Sequence, residues 1–584
     1  MKINSKKVIS MTLSIIVMFF ISHKYLEYGN SVLSIVLIFP IYYFLNNVIG
    51  AENKRKFTIS IVIAILFSAM ETIGNTINTD YTLNHLLDEW NVINFVGYTI
   101  IFWATISYLY GFLENINKNQ IKSKFLKIKN IEILSTSKKS FFINVGLMIL
   151  AWLPYFLKYC PGILTSDSIK QIEQIVGTAE LSNHHPILHT GIISVFINAG
   201  TNIFDDINVG VALYTVFQMI AMAIMFAFVL KYMCKKNVPT IIRGITLLYY
   251  MFYPVHAIYS VTMWKDILFS GMIPIYVIFI MELLSDTDNY VKDYKKLVMF
   301  TIISLLVMFL RNNGVYIVLL TLPFIIIVSK KHWKKLITIS GIIVVSFFSI
   351  KTVIFNVLDV KDGSVREMLS IPLQQIARVQ KYHTNELDET TNKTINSYFK
   401  YDGNIGDKYC PTLSDPVKDL LDDEYFEQNK TEFIKLWGEL LIPYFKDYVE
   451  SFISNSYGYY YPEAVNWITC KDMEENRYGI KFSQLIDGKL ISKISSLTDR
   501  RDIPMVSMCL SVGMAFWLIL LSLGYEIYMN RYKNIVIYIP ILVLWLTLIA
   551  SPVFCEYRYA YSMFTILPLY IGTNLIEKAR LKDE

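Results

Sequence analysis

Charged residues are scarce here: Asp, Glu, Lys and Arg make up 17% of 584 residues, while hydrophobic residues make up 54%. A soluble chain of this length needs a more heavily charged surface. A bilayer removes that need, because lipid solvates apolar side chains directly. Cysteine is also sparse. Cys160, Cys234, Cys410, Cys470, Cys509 and Cys555 show no CxxC or metal-ligand spacing, and no spacing argues for a disulfide among Cys160, Cys410 and Cys470. No strong internal repeat marks a paired-half transporter, and no low-complexity linker interrupts the chain. No small-residue cleavage site follows the basic Met1–Lys7 start, which therefore reads as the edge of an uncleaved first helix. The net charge of +6 is concentrated in short loops, a mark of topology rather than of nucleic-acid binding.

What the chain does have is long apolar runs, a mean hydropathy of +0.41, and 15% aromatic residues suited to two interfacial belts. About fourteen spans are expected from these runs. They are Val8–Ser22, Ser31–Ile49, Phe57–Gly74, Ile93–Leu113, Phe141–Lys158, Val209–Met233, Thr240–His256, Ile267–Leu284, Leu297–Leu310, Val315–Ser329, Leu336–Val357, Pro504–Tyr525, Ile535–Pro552 and Tyr559–Leu575. Basic clusters occupy alternate loops: Lys6/Lys7, Lys54–Lys56, Lys118–Lys139, Lys231–Lys236, Lys295/Lys296, Lys330–Lys335, Arg531/Lys533 and Lys578–Lys582. Lys and Arg concentrate in cytoplasmic loops, so both termini are expected inside. Asp80, Asp88, Glu89, Asp167, Asp266 and the Lys361–Asp502 segment then lie outside. Ile187–Ile203 would break this alternation as a span, so it reads as a re-entrant or membrane-parallel helix.

The expected fold is an all-α polytopic membrane protein. Residues 1–140 hold four N-terminal spans. Residues 141–357 form a transmembrane core whose first outer loop is 159–208. A small, mainly helical extracytoplasmic domain occupies 358–503, and the last three spans fill 504–584. The Tyr457–Tyr461 run inside that domain reads as packing surface.

Chemistry-bearing residues gather in the outer loops. Pro161-Gly162 turns the chain at the exit of the fifth span and brings Asp167 back toward the membrane. Two readings of Asp167 stand: a helix cap ahead of Ser168, or a carboxylate that takes a proton or binds a divalent ion. His184, His185 and His189 lie within six positions of each other, a dense group with no fixed spacing to a carboxylate. Trp264-Lys265-Asp266, Arg311-Asn312-Asn313-Gly314 and Glu556-Tyr557-Arg558 place further ionisable groups at the outer surface. Such groups are costly beside hydrocarbon unless paired or functional. Lys265 reads equally as a functional cation or as a residue that merely snorkels or pairs with Asp266, and Arg558 equally as a phosphate-binding group or as a partner of Glu556 or another outer-face acid. Arg311, in a tight hairpin, suits bidentate binding of a phosphate.

Taken together, the Pro161-Gly162…Asp167-Ser168…Gln171 loop, the His184-His185-Pro186…His189-Thr190 run, Trp264-Lys265-Asp266, Arg311-Asn312-Asn313-Gly314 and Glu556-Tyr557-Arg558-Tyr559 resemble the bacterial DUF6020-type membrane proteins and, more widely, the GT-C superfamily of membrane glycosyltransferases. The resemblance runs from about Phe141 to the C-terminus, with the first four spans an addition. The loop has a single Asp where many superfamily members have an acidic pair. The resemblance implies transfer of a sugar from a polyprenyl-phosphate-linked donor to an envelope glycan, lipid or protein on the outer face of a plasma membrane. It implies Asp167 as the catalytic carboxylate that activates the acceptor as base or binds a metal, assisted by His184, His185 or His189, with Lys265, Arg311 and Arg558 holding the donor phosphate. A divalent metal ion would fall to Asp167, His185 and His189. The alternative from another class is a transporter or flippase of lipid-linked or envelope substrates.

Overall fold

The computed structural model describes residues 5–26, 31–117, 132–363, 365–500 and 502–576. Most of the Lys118–Lys139 cluster and all of Lys578–Lys582 lie outside these residues. Among the described residues regular structure is helical throughout, with only isolated bridges between extended segments.

Among the described residues ten helices are long and apolar enough to cross a membrane, or up to 12 when each bent pair counts as one span. Every apolar run named above falls on a helix. The count is lower than fourteen because Tyr294–Leu310 and Gly314–Val328 have only 17 and 15 residues, and because Tyr557–Asn574 carries Arg558 and many hydroxyl groups. One of the ten is Ile187–Phe204, which meets the same length and hydropathy test as the others. It folds back antiparallel on Ile207–Lys235, with Gly200 against Gly210 and Phe196 against Phe217. Thr240–Phe252 and Pro254–Ser260 meet at 51°, where Pro254 removes a backbone donor.

The hydrophilic segment divides into two parts. Leu373, Ile376, Phe399, Leu421 and Phe433 build a core of their own, and buried Arg378 is tied to Asp447 and Glu450. From Tyr457 onward the chain becomes a strap that joins the membrane core instead. Tyr457, Tyr459 and Tyr461 are buried there, as expected of packing residues. Trp517 and Trp545 donate indole N–H groups to the Tyr460 and Tyr459 carbonyls at 2.9 and 3.0 Å. Further along, Tyr259 Oη donates to the Ile468 carbonyl at 2.7 Å, and the Ser483 N–H donates to the Cys160 carbonyl at 2.8 Å. Extended backbone whose polar groups find such partners can lie against apolar helices without an unsatisfied-group penalty.

Candidate functional site

Two backbone ties assemble one end of the bundle. The Ile163 N–H donates to the Val261 carbonyl at 2.8 Å, and the Met263 N–H returns to the Ile163 carbonyl at 2.9 Å. Gly162 makes this approach possible, since a side chain there would collide with Thr215. The second tie pairs Asn183 with Lys361, at 2.9 Å between the Asn183 N–H and the Lys361 carbonyl. Asn312 Nδ2 donates to the Asn183 carbonyl at 3.1 Å and fixes the Arg311 turn beside the histidines. That turn is tight because Gly314 lacks a side chain that would strike the Val307 carbonyl.

Asp167 is not a helix cap. The helix Ser166–Ile175 is capped by Thr165, whose N–H donates to Ser168 Oγ at 3.2 Å, while Ser168 Oγ–H donates to the Met263 carbonyl at 2.7 Å. The Asp167 carboxylate is therefore left for Arg558, whose Nη1 donates to Oδ2 at 2.8 Å. Arg558 Nε also lies 3.1 Å from Glu556 Oε1, without hydrogen-bond alignment. Its guanidinium covers the Trp264 ring at 5.1 Å and the Tyr559 ring at 4.9 Å. A second pair sits deeper. Arg311 Nε is 3.1 Å from Asp266 Oδ1, with side-chain exposures of 8% and 0%. Arg311 Nη1 donates to the Tyr559 carbonyl at 3.2 Å, and the guanidinium stacks 4.6 Å over the Tyr559 ring.

Lys265 joins the histidines to this cluster, with Nζ 3.1 Å from His185 Nδ1. An ammonium only donates, so Nδ1 is the acceptor and the ring proton sits on Nε2. Nε2 is buried and has no hydrogen-bond partner among the described residues. The His184 ring meets His185 edge-on at 4.7 Å. Burial, reinforced by the Lys265 charge, lowers the proton affinity of both imidazoles, so both are neutral near pH 7. Burial pushes the Asp167 carboxyl up, but Lys265 and Arg558 outweigh it and hold the group below the usual carboxylate range. Glu556 goes the other way: burial pushes it up to about 7 despite Arg558.

The sequence candidates Asp167, His184, His185, Lys265, Arg311 and Arg558 therefore come together. His189 does not join them. Its Nδ1 faces the Gln171 amide at 3.0 Å, its Nε2 bonds Tyr214 Oη at 2.7 Å, and the residue is wholly buried. With both ring nitrogens engaged, Asp167, His185 and His189 are not gathered as a ligand set. No group of three His, Cys, Asp or Glu suited to a metal ion occurs among the described residues. Two members of the cluster were not singled out as site residues from sequence, Asp266 and Glu556. The available signal was their adjacency to Lys265 and Arg558.

The N-termini of three helices, Ser166–Ile175, Lys265–Ser285 and Tyr557–Asn574, end in this cluster. Their dipoles add positive potential to that of Lys265, Arg311 and Arg558. The arrangement can hold an anion, donate a neutral hydrogen bond from His185 and exchange a proton at Glu556.

The chain matches no curated protein and no solved structure. Family of unknown function (DUF6020) matches residues 175–584, which takes in every site residue except Asp167. With most of its length matched in this way, the chain belongs to that family.

Proposed function

We propose that this protein is a membrane glycosyltransferase of GT-C type, with fourteen spans and both termini in the cytoplasm, working at the outer face of a plasma membrane. It moves a sugar from a polyprenyl-phosphate-linked donor to an envelope glycan, lipid or protein. The observation that supports this reading is the meeting of Asp167–Arg558 and Arg311–Asp266 with Lys265 and His185 where apolar helices end. Ionisable groups set at helix ends suit a substrate whose charged head lies at the interface and whose tail lies in lipid.

On this reading the donor phosphate takes Arg558 from Asp167, with Lys265 and Arg311 neutralising the charge that develops as the sugar–phosphate bond breaks. Asp167, freed from its ion pair, accepts the hydrogen bond of the acceptor hydroxyl. It then takes that proton as the base. His185 Nε2–H donates to the donor phosphate.

Membranes carrying the wild-type chain are expected to transfer radiolabelled sugar from a polyprenyl-phosphate donor into envelope material. Asp167→Asn is expected to lower that rate at least about 100-fold. Transfer by Asp167→Asn at the wild-type rate removes the assigned mechanism.

A further inference from the structure

A cavity lies toward the end of the bundle opposite the Asp167 cluster. It has a volume of about 440 Å³ and is lined by Phe228, Lys231, Lys235, Phe279, Glu282 and Lys296, among others. Lys265 and Glu282 share the helix Lys265–Ser285, so the cavity opens about 25 Å from the Asp167 cluster at 1.5 Å of rise per residue. It is thus at the other membrane boundary, where the basic loops Lys231–Lys236, Lys295/Lys296 and Lys330–Lys335 collect.

Its charges are unbalanced. The one acid of the lining, Glu282, is already met by Lys235 at 2.7 Å and Lys236 at 3.9 Å. Lys231 has no acidic partner among the described residues and only rests over the Phe141 ring at 5.6 Å. Lys296 reaches Asp293 no closer than 4.0 Å, a surface contact of little strength. Beside these ammonium groups the Phe228 and Phe279 rings run nearly parallel, 10° apart with centroids separated by 6.4 Å. Cationic rim and aromatic wall, set between two membrane-spanning helices, match a ligand that is anionic at one end and apolar at the other.

We infer that this cavity binds an anionic phospholipid of the adjacent leaflet, its phosphate between Lys231 and Lys296 and one acyl chain along Phe228 and Phe279. The site is independent of the transferase reading, since it shares no residue with the Asp167 cluster. A basic pocket between helices recognises a phosphate head by charge, while the bilayer supplies the tail already in place.

Native mass spectrometry of the full chain in detergent tests this by titration with phosphatidylglycerol, phosphatidylcholine and glycerol 3-phosphate. Phosphatidylglycerol is expected to bind in preference to the other two. The double variant Lys231→Gln/Lys296→Gln is expected to weaken phosphatidylglycerol about 25-fold, about fivefold for each lysine, with phosphatidylcholine unaffected. Lys331→Gln/Lys334→Gln, which removes the same charge outside the cavity, is expected to leave binding unchanged. Equal loss in both double variants overturns the site in favour of diffuse attraction. Equal affinity for glycerol 3-phosphate overturns the lipid assignment, and the absence of any preference for phosphatidylglycerol overturns the role of charge.

Discussion

Replacing Arg311 by methionine removes one half of a buried ion pair and leaves the other half behind. Asp266 has no exposed side-chain surface, and neither carboxylate oxygen has a hydrogen-bond partner among the described residues, so the Arg311 guanidinium at 3.1 Å is its principal compensation. At that separation the attraction is about 5 kcal/mol at an effective dielectric near 20. Lys265 also feels the Asp266 charge, and the helix N-terminus offers further relief. The net cost of Arg311→Met should therefore be about 3 kcal/mol, the low end for breaking a buried pair. Adding Asp266→Asn removes the stranded charge without adding volume and should recover about 2 kcal/mol of that loss. Equilibrium unfolding in micelles, followed by tryptophan fluorescence, measures all three variants. If Arg311 also grips the donor phosphate, the stability-rescued double variant stays inactive in the transfer assay. An Arg311→Met protein as stable as wild type, or a double variant no more stable than the single, refutes the reasoning.

Three further outcomes follow from the same geometry. Burial raises the Glu556 carboxyl from its ordinary 4.5 to about 7, so the folded state binds that proton more tightly than the unfolded chain does. The stabilisation is complete below pH 4.5 and is lost as pH rises through about 7. Wild-type unfolding midpoints should fall over this range relative to Glu556→Gln, and parallel curves would contradict the shift. His189→Ala strands Gln171 and Tyr214 and should cost about 2 kcal/mol of stability. The folded fraction should keep its KM in the transfer assay, and a raised KM would move His189 into the substrate site. Finally, Glu180→Cys in a background without native cysteines should react with an impermeant maleimide on intact cells, because Glu180 is exposed in the loop after Asp167. Reaction only after lysis would reverse the orientation.

Hydrophobic periodicity and length were enough to locate the helices, because each apolar run needs internal hydrogen bonding in lipid. They were not enough to fix the number of spans, since Tyr294–Leu310 and Gly314–Val328 lie at the margin of length. At the candidate site, the cost of charge near hydrocarbon pointed to Lys265, Arg311 and Arg558 before any contact was known. The pairing was not legible. Arg558 has Glu556 beside it in sequence, yet its best-aligned bond is to Asp167, separated from it by 391 positions. Likewise the Ser-Asp-Ser run suggests a cap at Asp167, whereas Thr165 and Ser168 close the helix end between them. His189 looked like part of a histidine cluster because proximity in sequence says nothing about which way a ring faces on a helix. It turns inward to the Ile207–Lys235 helix.

The charge census of the cluster has a consequence for loading. Lys265, Arg311 and Arg558 stand against Asp167, Asp266 and Glu556, so the sum is zero only while Glu556 is ionised. An arriving phosphate adds negative potential beside Glu556 and favours its neutral form. A neutral Glu556 in turn loosens its hold on Arg558, freeing a donor for the phosphate. Anion and hydrogen ion thus enter as thermodynamic companions, each improving the other's affinity by the same factor. In a weakly buffered solution, ligand uptake would register as a rise in pH.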